Sequence, residues 1–117
     1  MSGPKYADNR TLGRSKIAPY RPNEEAGDRH ARRLQANLEA RARLDAWLAT
    51  EGLRLAISNE GHHWRFLRPD GSLLAQWWPS SAKLVYGAEF SKSIHCHDVD
   101  LLRGALVRRM AREAGAR

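Results

Sequence analysis

Apolar residues in this chain change their spacing twice, and the two switches bound what it can fold into. Before Gly52, residues Ala31, Leu34, Leu38, Ala42, Leu44 and Leu48 fall on one stripe at helical spacing. After it, Leu53, Leu55 and Ile57 alternate with Arg54, Ala56 and Ser58, the pattern of a half-buried strand. Beyond Asp98 the helical spacing returns in Val99, Leu102, Leu106 and Met110. Helix, strands, helix, each with one apolar face, predicts an α+β two-layer domain. The expected order is α-β-β-β-(β)-α, with both helices packed on an antiparallel meander.

Local signals set the expected boundaries. Pro22-Asn23-Glu24-Glu25 predicts a helix start, with Asn23 as cap and the acids at the positive end of the dipole. The first helix is expected from Glu24 to Thr50, about 40 Å long, ending at Gly52. Arg41 and Asp45 interrupt its stripe four residues apart, where they can pair. Asn59-Glu60-Gly61 is a turn. A strand from His62 to Arg68 puts His62, Trp64, Phe66 and Arg68 on one side and His63, Arg65 and Leu67 on the other. Pro69-Asp70-Gly71 turns the chain into a third strand, Ser72 to Trp78, which Pro79 ends. A short strand from Lys83 to Tyr86 follows, then a loop through Gly87 and Ser93 and a helix capped by His97 or Asp98.

Residues 1–22 differ from the rest. They hold Gly3, Pro4, Gly13, Pro19 and Pro22 and few large apolar groups, too few to offset the entropy of ordering them. A flexible basic arm (1–22) ahead of one α+β domain (23–117) is expected, with Leu12, Ile17 and Tyr20 available to anchor part of it. The net charge of +7 is concentrated in two places. The arm has five basic side chains against one acid, and residues 98–117 have five against three. Basic excess in patches suits a polyanionic partner, usually nucleic acid. No apolar run reaches the roughly 18 residues of a membrane span, no apolar signal-peptide core follows Met1, and one cysteine allows no intrachain disulfide. These features suit a cytoplasmic location with no membrane partner.

No motif fixes a reaction or calls for a cofactor, so a non-catalytic protein is expected. His95 and His97 share one side of an extended segment, and with His63 they are candidate metal ligands, but their spacing matches no zinc signature. Cys96 lies among imidazoles without a visible triad, and a lone cysteine is usually a buried small hydrophobe. Trp77 and Trp78 are adjacent, so on a strand they face opposite ways. One belongs in the core; the other is left on the second face with cations, as a base-stacking platform or a protein hot spot would be. The candidate binding set is therefore Lys5, Arg10, Arg14, Lys16, Arg65, Arg68, Trp78 and Lys83, with nucleic acid or a host protein complex as partner.

Trp78-Pro79-Ser80-Ser81-Ala82-Lys83, after His63-Trp64 and before Val99-Asp100-Leu101-Leu102, resembles a motif of small uncharacterised tailed-phage and prophage accessory proteins. Those carry an aromatic-Trp-Pro-Ser/Thr-Ser/Thr-Gly-Lys turn. Here Ala82 replaces the glycine, and Ile94-His95-Cys96-His97 stands in a link otherwise rich in glycine and arginine. The likeness spans about residues 61–106. It implies an accessory protein that binds host machinery, inhibitors of defence complexes included, in a bacterial cytoplasm. The α-β-β-β-α order is also that of double-stranded RNA-binding domains, although Asp98 and Asp100 open the last helix where phosphate would be repelled.

Overall fold

Alternation after Gly52 produces an antiparallel meander of five strands in the order β1-β2-β3-β4-β5. They are β1 (Arg54–Ser58), β2 (His63–Leu67), β3 (Leu73–Trp78), β4 (Lys83–Tyr86) and β5 (Ile94–His95). Three α-helices accompany them among the residues that the computed structural model describes, 12–115: α1 (Ala26–Glu39), α2 (Ala42–Glu51) and α3 (Val99–Gly115). The result is an α+β domain, as the two changes of period require.

One side of the sheet carries the core. Trp64, Phe66, Ala75, Trp77 and Leu84 meet Leu44 and Leu48 of α2 and Val99, Leu102, Ala105 and Leu106 of α3. Trp64 and Trp77 are paired across β2 and β3 and meet edge to face, their ring centroids 5.0 Å apart. Their indole N–H groups donate to the Gly61 and Cys96 carbonyls, both at 2.8 Å, so neither leaves an orphan donor in the core. The Tyr86 hydroxyl lies 3.4 Å from the Ala105 carbonyl, on the same side as α3.

The first helix differs from the expectation: it is two helices, divided at Ala40 and Arg41 without a proline or glycine. Tertiary contacts outweigh propensity here. Asn37, fully buried, donates to the Arg33 and His97 carbonyls and accepts from the Val99 N–H, which ties α1 to the start of α3. Leu38 of α1 packs on Gly61, which has a φ of +93° and where an added Cβ would come within 3.3 Å of the leucine. Leu44 and Leu48 of α2 instead enter the sheet core. The cap differs as well. Asn23 has a φ of +65°, and Glu25, with no side-chain cap bond, precedes α1.

Other boundaries follow the sequence more closely. His62 belongs to the turn and not to β2. The hairpin turn before it is left-handed at Asn59, Glu60 and Gly61. Asp70 accepts the Ser72 N–H at 2.9 Å, an Asx turn that closes the β2–β3 hairpin. Asp98 caps α3 through the Leu101 N–H at 2.8 Å. The two-residue β5, which has no counterpart in the expected order, pairs with β4 as Lys83 with His95 and Leu84 with Ile94.

The part of the expected arm that lies within the described residues rests on the body. Leu12 and Ile17 pack on the core and Ala18 is buried. The Leu12 N–H donates to the His95 carbonyl, and the Ser15 hydroxyl donates to Asp98 at 2.6 Å. Three small apolar contacts and two polar ones hold a segment that its composition alone suggested would stay loose. Tyr20 remains 78% exposed.

Candidate binding surface

The second side of the sheet is built by the same alternation. Register places Ser58 opposite His63, Trp78 opposite Lys83 and Lys83 opposite His95. The His63 and Trp78 rings bridge the remaining gap by stacking, with centroids 4.5 Å apart and planes within 6°. One row, Ser58–His63–Trp78–Lys83–His95, thus crosses all five strands and contains no carboxylate. Phe90, half-exposed in the β4–β5 loop, lies against it at 6.2 Å from Trp78. The Lys83 ammonium sits 5.7 Å from both the Trp78 and the Phe90 ring, within cation–π range.

A second row, Ala56–Arg65–Gln76–Val85, lies behind the first. Gln76 organises it: its side-chain oxygen accepts from the His63 Nε2 N–H at 2.9 Å while its amide nitrogen donates to the Gly87 carbonyl. Arg65 is exposed, and neither Arg65 nor Lys83 forms an ion pair among the described residues. A face with two unpaired cations and a stacked aromatic pair is equipped to meet an anionic, planar or apolar partner.

Of the sequence-derived binding set, Trp78, Lys83 and Arg65 come together on this face. Arg68 does not. Its guanidinium is held by Glu113 of α3 at 2.8 and 3.0 Å and by the Leu73 carbonyl, so it is committed to joining sheet and helix. Against the upward push of burial, Arg68 and Arg109 together hold the Glu113 carboxyl below its ordinary value. Arg14 and Lys16 are exposed on the docked segment. Lys5 and Arg10 lie outside the described residues.

The histidines separate. His63 belongs to the stack, whereas the His95 and His97 rings meet edge to face at 6.3 Å. Among the described residues, no three His, Cys, Asp or Glu side chains converge as a metal would need. Burial foremost, then the charge of Arg33 and the neighbouring His95, lowers the His97 pKa, with Asp98 opposing. Cys96 is fully buried in the core, its Sγ 3.6 Å from the Asp98 carbonyl. Burial, aided by Asp98, pushes its thiol far up, which disfavours the thiolate a nucleophile needs.

The turn that joins β3 to β4 is held at Ala82 and Ser80. Ala82 has a φ of +62°, the left-handed conformation in which glycine is ordinarily preferred. Its carbonyl accepts the Cys96 N–H at 2.7 Å. The Ser80 carbonyl accepts from Arg33 of α1 at 2.7 Å, and the Ser80 hydroxyl lies 3.1 Å from His62 Nδ1.

A third group of cations, on the Arg-rich first half of the helical region, lies outside the sequence-derived binding set. Arg29, Arg32 and Arg33 share one face of α1 and, with Arg14 and His97, line a cleft of about 620 Å³ under the docked segment. Their spacing of i, i+3 and i+4 was the available signal, but only the packing of residues 13–20 over them makes a cleft.

The fold and these surfaces define a small α+β domain with a cationic, partly aromatic exterior. No known family, no characterised protein and no solved structure matches the chain. Among the described residues, no helix is long and apolar enough to cross a membrane.

Proposed function

We propose that this protein is a non-catalytic binding protein of phage or mobile-element type that contacts nucleic acid through the open face of its sheet. The observation that carries the reading is the row His63–Trp78–Lys83–His95, with Phe90 beside it and Arg65 behind it. Aromatic rings stack on bases with little regard to sequence, and unpaired cations neutralise phosphate. The net charge of +7 adds long-range attraction for a polyanion. The Trp-Pro-Ser-Ser turn that positions Trp78 and Lys83 supports the phage-type assignment through its resemblance alone.

The same aromatic set supports a second reading, an inhibitor that docks on a host protein complex. Phe90 at 50% exposure beside a half-buried Trp78 is the composition of a protein hot spot. Salt separates the two. Fluorescence anisotropy with short single- and double-stranded oligonucleotides should give an affinity that falls steeply as salt rises, by about one unit of log–log slope per phosphate contact. Binding no tighter than about 10⁻⁴ M, the weak end of non-specific association, would overturn the nucleic-acid reading and leave the inhibitor. That second partner should then be captured from host lysate whether or not nuclease is added.

A further inference from the structure

The cleft beneath residues 13–20 has a charge balance that no contact within the described residues explains. Arg14, Arg29, Arg32 and Arg33 all line it, with His97 at its inner wall. Only Arg32 is neutralised: Glu24 grips its guanidinium through both carboxylate oxygens, at 2.6 and 2.8 Å. That ion pair also lowers the Glu24 carboxyl below its ordinary value. Arg29 has a single long contact, 3.4 Å to the Glu24 carbonyl, and Arg14 has no bond to a described residue.

Arg33 is the telling member. It is only 9% exposed, yet its guanidinium makes one hydrogen bond among the described residues, from Nη1 to the Ser80 carbonyl. A buried guanidinium ordinarily has a carboxylate partner. Here the charges that act on it most strongly, after the effect of burial itself, are those of Arg29 and Arg32, with Glu24, already paired with Arg32, opposing them. Asp98 is spent elsewhere, on Ser15 and on the Leu101 N–H, and is not part of the wall. The wall is also well fixed. Ser15 accepts the Ala18 N–H at 2.8 Å, and Asn37 fixes the His97 carbonyl.

We propose that this cleft is a binding site for a phosphate monoester, with the guanidiniums of Arg14, Arg29 and Arg33 as its donors. A single carboxylate would offset one of three unmatched charges. A monoester brings about two negative charges and three strong acceptor oxygens, and guanidinium forks match phosphate geometry. The volume suits a nucleotide-sized ligand, within the roughly 300–1,000 Å³ of small-molecule sites. The shared chemistry is a terminal phosphate, whether on a free mononucleotide or at the 5′ end of a nucleic-acid strand. The site is distinct from the open sheet face and does not depend on it.

The test uses two matched pairs at constant ionic strength: adenosine 5′-monophosphate against adenosine, and a 5′-phosphorylated oligonucleotide against its 5′-hydroxyl twin. The phosphorylated member of at least one pair should bind about tenfold tighter or more, as loss of one charge-assisted hydrogen bond would cost. Preference confined to the first pair assigns the source to free nucleotide, and preference confined to the second assigns it to strand ends. Either supports the site. Arg14→Gln/Arg29→Gln, both outside the core, should abolish the preference without loss of fold. Arg33→Lys, which keeps a cation for the Ser80 carbonyl but loses the fork, should weaken it. Equal affinity within both pairs, or a preference untouched in the double variant, would overturn the proposal. Affinity for the 5′-hydroxyl strand involves no terminal phosphate, so the two readings fail separately.

Discussion

Trp77 and Trp78 are neighbours in the chain, and they show how differently the two sides of this sheet are built. Trp77 is wholly buried, T-stacked on Trp64 and bonded through its indole N–H to the Cys96 carbonyl. Trp78 is only partly buried, stacked on a histidine and flanked by a lysine. The first side is covered by α2 and α3 and filled by apolar contact. The second carries polar and aromatic side chains and, among the described residues, the β4–β5 loop, with Val85 buried among them. The same residue type therefore serves cohesion on one side and is free to serve recognition on the other, and a shift of one residue in register would exchange the roles.

The contrast should be visible in stability. Trp77→Ala should cost about 3–5 kcal/mol, as truncation of a buried aromatic does, measured by urea unfolding. Somewhat smaller, Asn37→Leu should cost about 2–3 kcal/mol by leaving the buried Val99 N–H and His97 carbonyl without partners. That variant asks whether the helix layer behind the core depends on one polar side chain as well as on apolar contact. Trp78→Ala should cost only about 1 kcal/mol, the scale of one exposed-face aromatic pair. Losses of equal size at Trp77 and Trp78 would mean that both sides of the sheet are core, and the contrast would fail.

The smallest effect concerns pH and sharpens the boundary between buried and open histidines. Because the folded state lowers the His97 pKa below the ordinary 6.5, His97 contributes stability that is present above that pH. The contribution is lost as pH falls toward the depressed folded value. Thermal melts from pH 7.5 to 5 should therefore lose stability on acidification more steeply in the wild type than in His97→Gln. An identical pH dependence of the two would place His97 in open solvent.

Much of this fold is legible in the chain because its signals are local. Leu53, Leu55 and Ile57 alternate where β1 forms, Asp70 makes the turn its side chain favours, and Asp98 caps the last helix. The opposite orientation of Trp77 and Trp78 follows from strand geometry alone. What escaped is long-range. Nothing between Glu39 and Ala42 breaks a helix; the division there comes from Asn37 and Leu38 docking on one part of the body while Leu44 and Leu48 dock on another. The two-residue β5 is too short to have a period, and it exists because Lys83 and Leu84 offer an edge.

The candidate site divides in the same way. Trp78, Lys83 and Arg65 meet because strand alternation and register bring them to one face. His63 and Phe90 join them through a stack and a loop that spacing does not encode. Arg68 is drawn away by Glu113, 45 residues further on, a partner that no local pattern announces. The arginines of α1 become a cleft only when Ser15 and Ala18 close over them.

The central claim, that the open face is the recognition surface, is tested most directly by Trp78→Ala/Lys83→Ala in the full chain. Its affinity for a short single-stranded oligonucleotide would be compared with the wild type at one fixed salt concentration, after circular dichroism has shown the fold retained. The account predicts a loss of about tenfold or more, since one stacked base alone is worth roughly 1–3 kcal/mol. An unchanged affinity in a folded double variant would contradict it and move nucleic-acid contact to another surface of the protein.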